Sequence, residues 1–241
     1  MANQQIHGYI LHRRPYRETS FLVDVFSIEL GKCRFVAKGV RSPKSDRKSV
    51  LQPFQYVQCE LSGKGEMKNL IRAEVLEKPH QLTAERLFCG MYVNELINRC
   101  LPEHILCPDL LTQYVACLQQ LQALSGNTVD IVKARQEQIL REFELALLDE
   151  LGYLPDLGVD ALSQEFIQVD QAYVFQPEIG IVAAQHYPHL RQFSGALLTA
   201  VLQQEWSAQS LQLAKYLTRF ALSPLLGNKP LKSRELFVTQ S

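Results

Sequence analysis

Over residues 1–80 apolar side chains tend to return at every second position. Residues 5–12 alternate around Ile6, Tyr9 and Leu11. Residues 19–27 read Thr-Ser-Phe-Leu-Val-Asp-Val-Phe-Ser, rich in the β-branched and aromatic side chains that suit a pleated, half-buried surface. Residues 32–40 repeat the pattern behind Gly31, which is placed for a hairpin turn, and residues 54–61 alternate again after Pro53. Ser62-Gly63-Lys64-Gly65 supplies another turn before residues 68–76, built around Leu70, Ile71, Ala73 and Val75. Five short strands punctuated by turns predict a small closed barrel of the OB type, because closure removes unpaired strand edges. An SH3-like barrel is the nearest competitor.

After Pro79 the period changes from 2 to 3.6. Leu87, Phe88, Met91, Tyr92, Leu96, Ile97, Cys100 and Leu101 fall on one helical face, as do Leu110, Leu111, Tyr114, Val115, Leu118 and Leu121. A longer helix is predicted over 131–151, stopped by Gly152 and Pro155. The pattern then breaks. Short strands are expected at 165–169 and 173–175, and helices return over 189–204 and 210–226, ending at Gly227-Asn228. The expected fold class is therefore α+β: a five-stranded OB-type β-barrel over residues 1–79, then a mainly α-helical domain over 80–241 with a small β-containing insertion at about 153–187.

Composition fits an ordinary globular protein, with 46% hydrophobic and 21% charged residues among 241. The N-terminus lacks a charged region followed by an apolar run, and no stretch is long and apolar enough to span a bilayer, so a cytoplasmic location is expected. Six cysteines without a C-x-x-C pair read as reduced, mostly buried thiols.

The net charge of zero conceals a segregation. Residues 1–80 carry 14 Lys and Arg against 8 acids, residues 81–210 carry 6 against 16, and residues 211–241 carry 5 against 1. One surface should attract polyanions and another repel them, so the two halves are expected to have different partners.

The densest basic stretch holds Lys32, Arg34, Lys38, Arg41, Lys44, Arg47 and Lys48 with one acid, Asp46. Lys and Arg on a loop hanging from a barrel neutralise successive phosphates and release counterions. A solvated loop kept basic for solubility has the same composition. Tyr16, Phe35, Phe54 and Tyr56 stand near enough in sequence to stack bases if any points outward, though strand aromatics are more often core.

Catalysis finds little support. Cys100, His104 and Cys107 hint at a metal site but lack a fourth ligand, and Pro102 and Pro108 disturb the helix that would hold them. Asp149, Glu150, Asp156 and Asp160 gather near a helix end without a positioned His or Lys. Gly63-Lys64-Gly65 lacks the rest of a phosphate loop, and neither G-x-G-x-x-G nor G-x-S-x-G occurs. No enzyme activity, cofactor or metal is expected.

Several stretches then form an ordered set: Glu18-Thr19-Ser20 before Val23-Asp24-Val25-Phe26, Gly31-Lys32-x-Arg34, Ala37-Lys38-Gly39-Val40-Arg41, Leu51-Gln52-Pro53-Phe54, Gly65-Glu66-Met67-Lys68 and Tyr92-Val93-Asn94-Glu95-Leu96. They continue through Arg141-x-Phe143-Glu144-x-Ala146-Leu147-Leu148-x-x-Leu151-Gly152-Tyr153 to Leu231-Lys232-Ser233-Arg234-Glu235-Leu236-Phe237. In order and spacing the chain resembles the RecO family of bacterial DNA repair and recombination mediators along nearly its whole length. The resemblance implies an OB-fold that binds single- and double-stranded DNA, with Lys38 and Arg41 matching the family's basic positions and Arg34, Lys44, Arg47 and Lys48 beside them. It implies action in the RecF pathway: annealing of complementary strands without ATP, recognition of the acidic C-terminal tail of single-stranded DNA-binding protein (SSB), and loading of RecA with RecR. Some family members carry a four-cysteine zinc module, whereas residues 153–190 contain no cysteine here, so zinc is not carried over.

An acidic tail ending in a carboxylate and an apolar side chain calls for a cation beside an apolar groove. Arg141 with Phe143, Leu145 and Leu148 is the expected place, and the C-terminal cations Lys215, Arg219 and Arg234 are the next candidates. The alternatives are that Arg141 is an ordinary exposed helix residue and the leucines are core, that the barrel binds RNA, or that the protein is an adaptor without nucleic-acid function.

Overall fold

The computed structural model describes residues 3–41, 47–63, 65, 67–126 and 128–238, apart from the side chains of Arg47, Phe237 and Val238. In chain order the elements are strands β1 (Gln4–Tyr16), β2 (Ser20–Ser27) and β3 (Gly31–Ala37), a helical turn α1 (Arg47–Val50), strands β4 (Tyr56–Ser62) and β5 (Lys68–Val75), and helices α2 (Glu85–Cys100), α3 (Pro108–Ala123) and α4 (Val129–Glu150). Strands β6 (Ala172–Gln176), β7 (Gly180–Ala183) and β8 (Gln192–Ser194) precede helices α5 (Gly195–Leu202), α6 (Ala208–Leu226) and α7 (Lys232–Val238). Two compact units result, one of residues 1–123 with 230–241 and one of 124–229.

In the first unit the five strands close a barrel in the order β1-β2-β3-β5-β4, sealed by the parallel β3–β5 pair. This is the OB-type closure that the alternation predicted. Ile6, Ile10, Val23, Val25, Phe35, Cys59 and Leu61 fill its interior. All eight residues of β2 are buried, and Phe26 meets the ring of Tyr114 on α3. Gly31 opens β3 at φ 61°, and a Cβ there would lie 1.8 Å from the Ile105 carbonyl oxygen, so this turn tolerates only glycine.

Leu11 is skipped in the β1–β2 register between Ile10 and His12. That bulge frees its carbonyl to accept from Asn94 Nδ2 at 2.8 Å, while the Tyr114 hydroxyl donates to Asn94 Oδ1 at 2.8 Å. Asn94 is buried with both ends of its amide satisfied, which ties α2 and α3 to the barrel wall.

Helix α7 escapes sequence reading because its N-terminal cap comes from another element. Glu95 on α2 accepts from the Lys232 amide at 2.9 Å and from the Ser233 amide and hydroxyl at 2.8 and 2.7 Å. Burial pushes the Glu95 carboxyl up, but the Ser233 and Lys232 donors and Arg99 outweigh it and hold the group below its ordinary range. A depressed folded-state pKa stabilises the fold above the unfolded value and is lost as pH falls through the folded one. Glu95→Gln is therefore expected to cost about 1–2 kcal/mol near neutrality. In denaturant titrations across the acid range, the gap from wild type should close as Glu95 protonates; a gap independent of pH would mean the charge does no capping.

In the second unit, Thr128 caps α4 by accepting from the Ile131 amide, and Ser207 with Ser210 forms a capping box on α6. Strands β7-β6-β8 form a small antiparallel sheet over a core of Leu145, Tyr173, Phe175, Ile181, Phe193, Leu198, Leu213 and Leu217. Two sequence expectations change here. The helix expected from residue 189 begins only at Gly195, because 192–194 pair with β6 as β8. Residues 165–169 contribute one isolated bridge, Phe166 to Val159, and no strand.

Candidate nucleic-acid interface

At one end of the barrel the strands present a row of residues. Tyr16 pairs with Ser20 across β1–β2, and Phe21 with Ala37 across β2–β3, which sets Lys38 beside Ser20; Val36 pairs with Asn69 across β3–β5. Tyr16, Arg17, Glu18, Thr19, Ser20, Val36, Lys38, Met67 and Asn69 line an open cavity of about 680 Å³ along this row. Lys38 and Arg17 are exposed, and Tyr16 is half-buried with the Arg17 guanidinium 5.2 Å from its ring centre.

The basic stretch is anchored on both sides of residues 42–46. The Arg41 amide donates to the Thr19 carbonyl and its guanidinium to the Arg17 carbonyl, both at 3.0 Å, which stitches the turn after β3 to the turn after β1. Val40 is fully buried beneath this stitch. Beyond the segment, Arg13 donates to the Lys48 carbonyl at 2.5 Å and to Gln52 Oε1 at 2.9 Å, with its guanidinium 5.0 Å over the Phe21 ring. Sequence reading missed Arg13, since nothing local marks an arginine that grips a carbonyl 35 residues away.

Of the predicted DNA-binding residues, Lys38, Arg41 and Lys48 are exposed. Lys44 and the side chain of Arg47 lie outside the described residues. Arg34 is a correction: it is half-buried, donates from Nε to Asp24 Oδ1 at 2.5 Å and sits 3.5 Å from Glu103. Burial raises the Asp24 carboxyl, and hydrogen bonds from His12 and Arg34 more than reverse this, so the pair is a satisfied ion pair in the barrel wall. Lys32 leaves the basic stretch as well. It is buried, its Nζ donates to the Asn98 carbonyl at 2.9 Å, and burial pushes its ammonium below the usual lysine range.

The aromatic candidates separate in the same way. Phe35 and Phe54 are buried, and Tyr56 packs on Tyr9 with centroids 4.9 Å apart. Tyr16 alone of the four lines the cavity.

The expected tail-binding cluster is a second correction. Phe143, Leu145 and Leu148 are buried core residues. Arg141 is itself 6% exposed, donating from Nη2 to Glu144 Oε1 at 2.5 Å, while Glu144 Oε2 accepts from the Thr218 hydroxyl. Arginine and apolar residues share a helix as predicted, but they face the interior and present no cation beside an open groove. A different groove in this unit has that character. Arg191, Gln212, Lys215, Tyr216, Arg219 and Phe220 line a cavity of about 260 Å³, with Arg191 stacked 5.0 Å from the Tyr216 ring and Tyr216 packed on Phe220 at 4.8 Å.

All six cysteines are buried and none forms a disulfide, and burial raises the Cys33, Cys59 and Cys100 thiols to about 11, 12 and 11 respectively. Such thiols are poor nucleophiles at neutral pH. Among the described residues no group of three or more His, Cys, Asp or Glu is placed to hold a metal ion, and no helix is long and apolar enough to cross a membrane.

Comparison with known proteins extends the geometry. The model of the recombination protein O N-terminal domain matches residues 1–79 and that of its C-terminal domain matches residues 81–235. The chain is 44% identical to the DNA repair protein RecO of Alteromonas mediterranea over 241 residues, covering 100% of this chain and 99% of the relative. It is 44% identical to RecO of Pseudoalteromonas atlantica (98% and 95% covered) and 41% identical to RecO of Klebsiella pneumoniae (95% and 91%).

Proposed function

Because the chain belongs to the RecO family of DNA repair proteins, we propose that it is a non-catalytic recombination mediator of the RecF pathway, working in the cytoplasm at the nucleoid. It binds single- and double-stranded DNA through the barrel rim, anneals complementary strands without ATP, and with RecR loads RecA onto strands coated by SSB. The observation that carries this reading is the division among the barrel cations. Lys32 and Arg34 are held by protein partners, whereas Lys38, Arg41 and Lys48 stay exposed, with Lys38 and Arg17 lining the cavity. Two like-charged strands repel, and a cationic rim lowers that barrier while leaving bases accessible for pairing; no bond is made or broken by the protein.

For the SSB tail the reading moves from Arg141 to the groove of Arg191, Lys215, Tyr216, Arg219 and Phe220. Exposed cations there lie beside an aromatic wall, which matches a peptide with acidic side chains and an apolar C-terminal residue. Lys215 shares its charge with Glu137 at 2.8 Å, which leaves Arg191 and Arg219 as the stronger anchors.

The test is annealing of complementary DNA strands coated with SSB, in the absence of ATP. Wild type should accelerate it, and Arg191→Ala with Arg219→Ala should lose most of that acceleration while still annealing naked strands. Equal rates with and without the protein, or a preference for matched RNA strands, would sink the reading. Retained acceleration in the folded double variant would place the tail elsewhere.

A further inference from the structure

The aromatic ring in the rim cavity has a use beyond phosphate neutralisation. The row from Tyr16 through Ser20 and Lys38 to Asn69 crosses four adjacent strands. Three interstrand spacings of about 4.8 Å make it about 14 Å wide, enough to seat a nucleotide flat against the barrel. Its volume of about 680 Å³ lies within the range of small-molecule sites, and both polar and apolar groups line it. Among the described residues the Tyr16 hydroxyl, the Lys38 ammonium and the Asn69 amide have no hydrogen-bond partner. Met67 is 49% exposed at the same cavity.

We infer that this cavity is a slot for one unpaired nucleobase, with Tyr16 as the stacking platform, Asn69 meeting the base edge and Lys38 holding the adjoining phosphate. The inference rests on the barrel being the DNA-binding surface and adds what that surface selects. A base stacked within a duplex does not reach a half-buried ring covered by the Arg17 guanidinium, so the slot favours single strands, frayed ends and gaps. Asn69 carries both a donor and an acceptor, so the slot accepts any of the four bases. The Arg17 guanidinium now over Tyr16 is exposed, and an incoming base takes its place on the ring. Base–aromatic stacking exceeds an exposed cation–π contact, so the exchange favours the base.

The experiment uses the full chain with oligodeoxythymidine carrying 2-aminopurine at one internal position, beside a blunt duplex of equal length. Wild type should quench the fluorophore on binding. Tyr16→Ala should abolish the quench and weaken single-strand binding about 5- to 30-fold, leaving duplex affinity unchanged, and Tyr16→Phe should restore both signals. Met67→Ala, at an exposed position, should weaken single-strand binding alone and serves as the second probe if Tyr16→Ala fails to fold. An unchanged quench in Tyr16→Ala, or in Met67→Ala with unchanged affinity, overturns the slot while the barrel remains the DNA surface. An equal loss for duplex and single strand also overturns it. Failure of wild type to bind either DNA removes the slot together with the reading on which it rests.

Discussion

Arg141→Ala is expected to cost about 3–5 kcal/mol of stability, the range for breaking a buried ion pair by removing one partner. The substitution removes the charged partner of the Glu144 carboxylate, which is 1% exposed and also accepts from the Thr218 hydroxyl. It also removes a side chain from a packed helix face bordered by Phe143, Leu145 and Leu148. Chemical denaturation followed by circular dichroism reads this directly. Replacing the pair together, Arg141→Met with Glu144→Leu, should recover most of the loss, since two matched apolar groups leave no charge unpaired. If Arg141→Ala unfolds at the same denaturant concentration as wild type, the ion pair contributes nothing and the arginine is free to serve elsewhere. Any loss of SSB-tail affinity in this variant has to be read against its folded fraction, which is why the Arg191 and Arg219 variants are the cleaner test of tail docking.

The second large effect is on DNA. Lys38→Ala with Arg41→Ala should flatten the dependence of single-strand affinity on salt by roughly one to two log–log units, from a wild-type slope of about −3 to −4. At 0.1 M salt this corresponds to on the order of tenfold to a hundredfold weaker binding. The two positions are not equivalent. Lys38 has no hydrogen-bond partner among the described residues, so Lys38→Ala removes charge alone. Arg41 also donates to the Arg17 carbonyl, so Arg41→Ala loosens the turn as well as removing a charge. Arg34→Ala is the informative contrast: its guanidinium is held by Asp24, so the salt slope should stay near that of wild type while stability falls. A double variant that binds with an unaltered slope would take this rim out of the DNA path.

What the sequence by itself determined is what depends on near neighbours and on average chemistry. Alternation with period 2 marked the barrel strands, and the switch to period 3.6 marked α2, α3, α4 and α6, because each needs only its own apolar face to be recognised. Segregated charge pointed to the barrel as the cationic half, and ordered motifs pointed to the family. The tertiary structure decided which cations remain available. Lys32, Arg34 and Arg141 read as exposed bases in the chain, yet each is held by a carbonyl or carboxylate: Asn98 lies 66 residues from Lys32, and Glu144, the buried partner of Arg141, also accepts from Thr218, 74 residues on. Helix α7 depends in the same way on Glu95, 137 residues before its first amide, and β8 exists because β6 offers it a ladder. The physical reason is common to all of them. A charge or a backbone amide adopts whichever partner desolvates with it, and in a folded chain that partner is chosen by packing rather than by position in sequence.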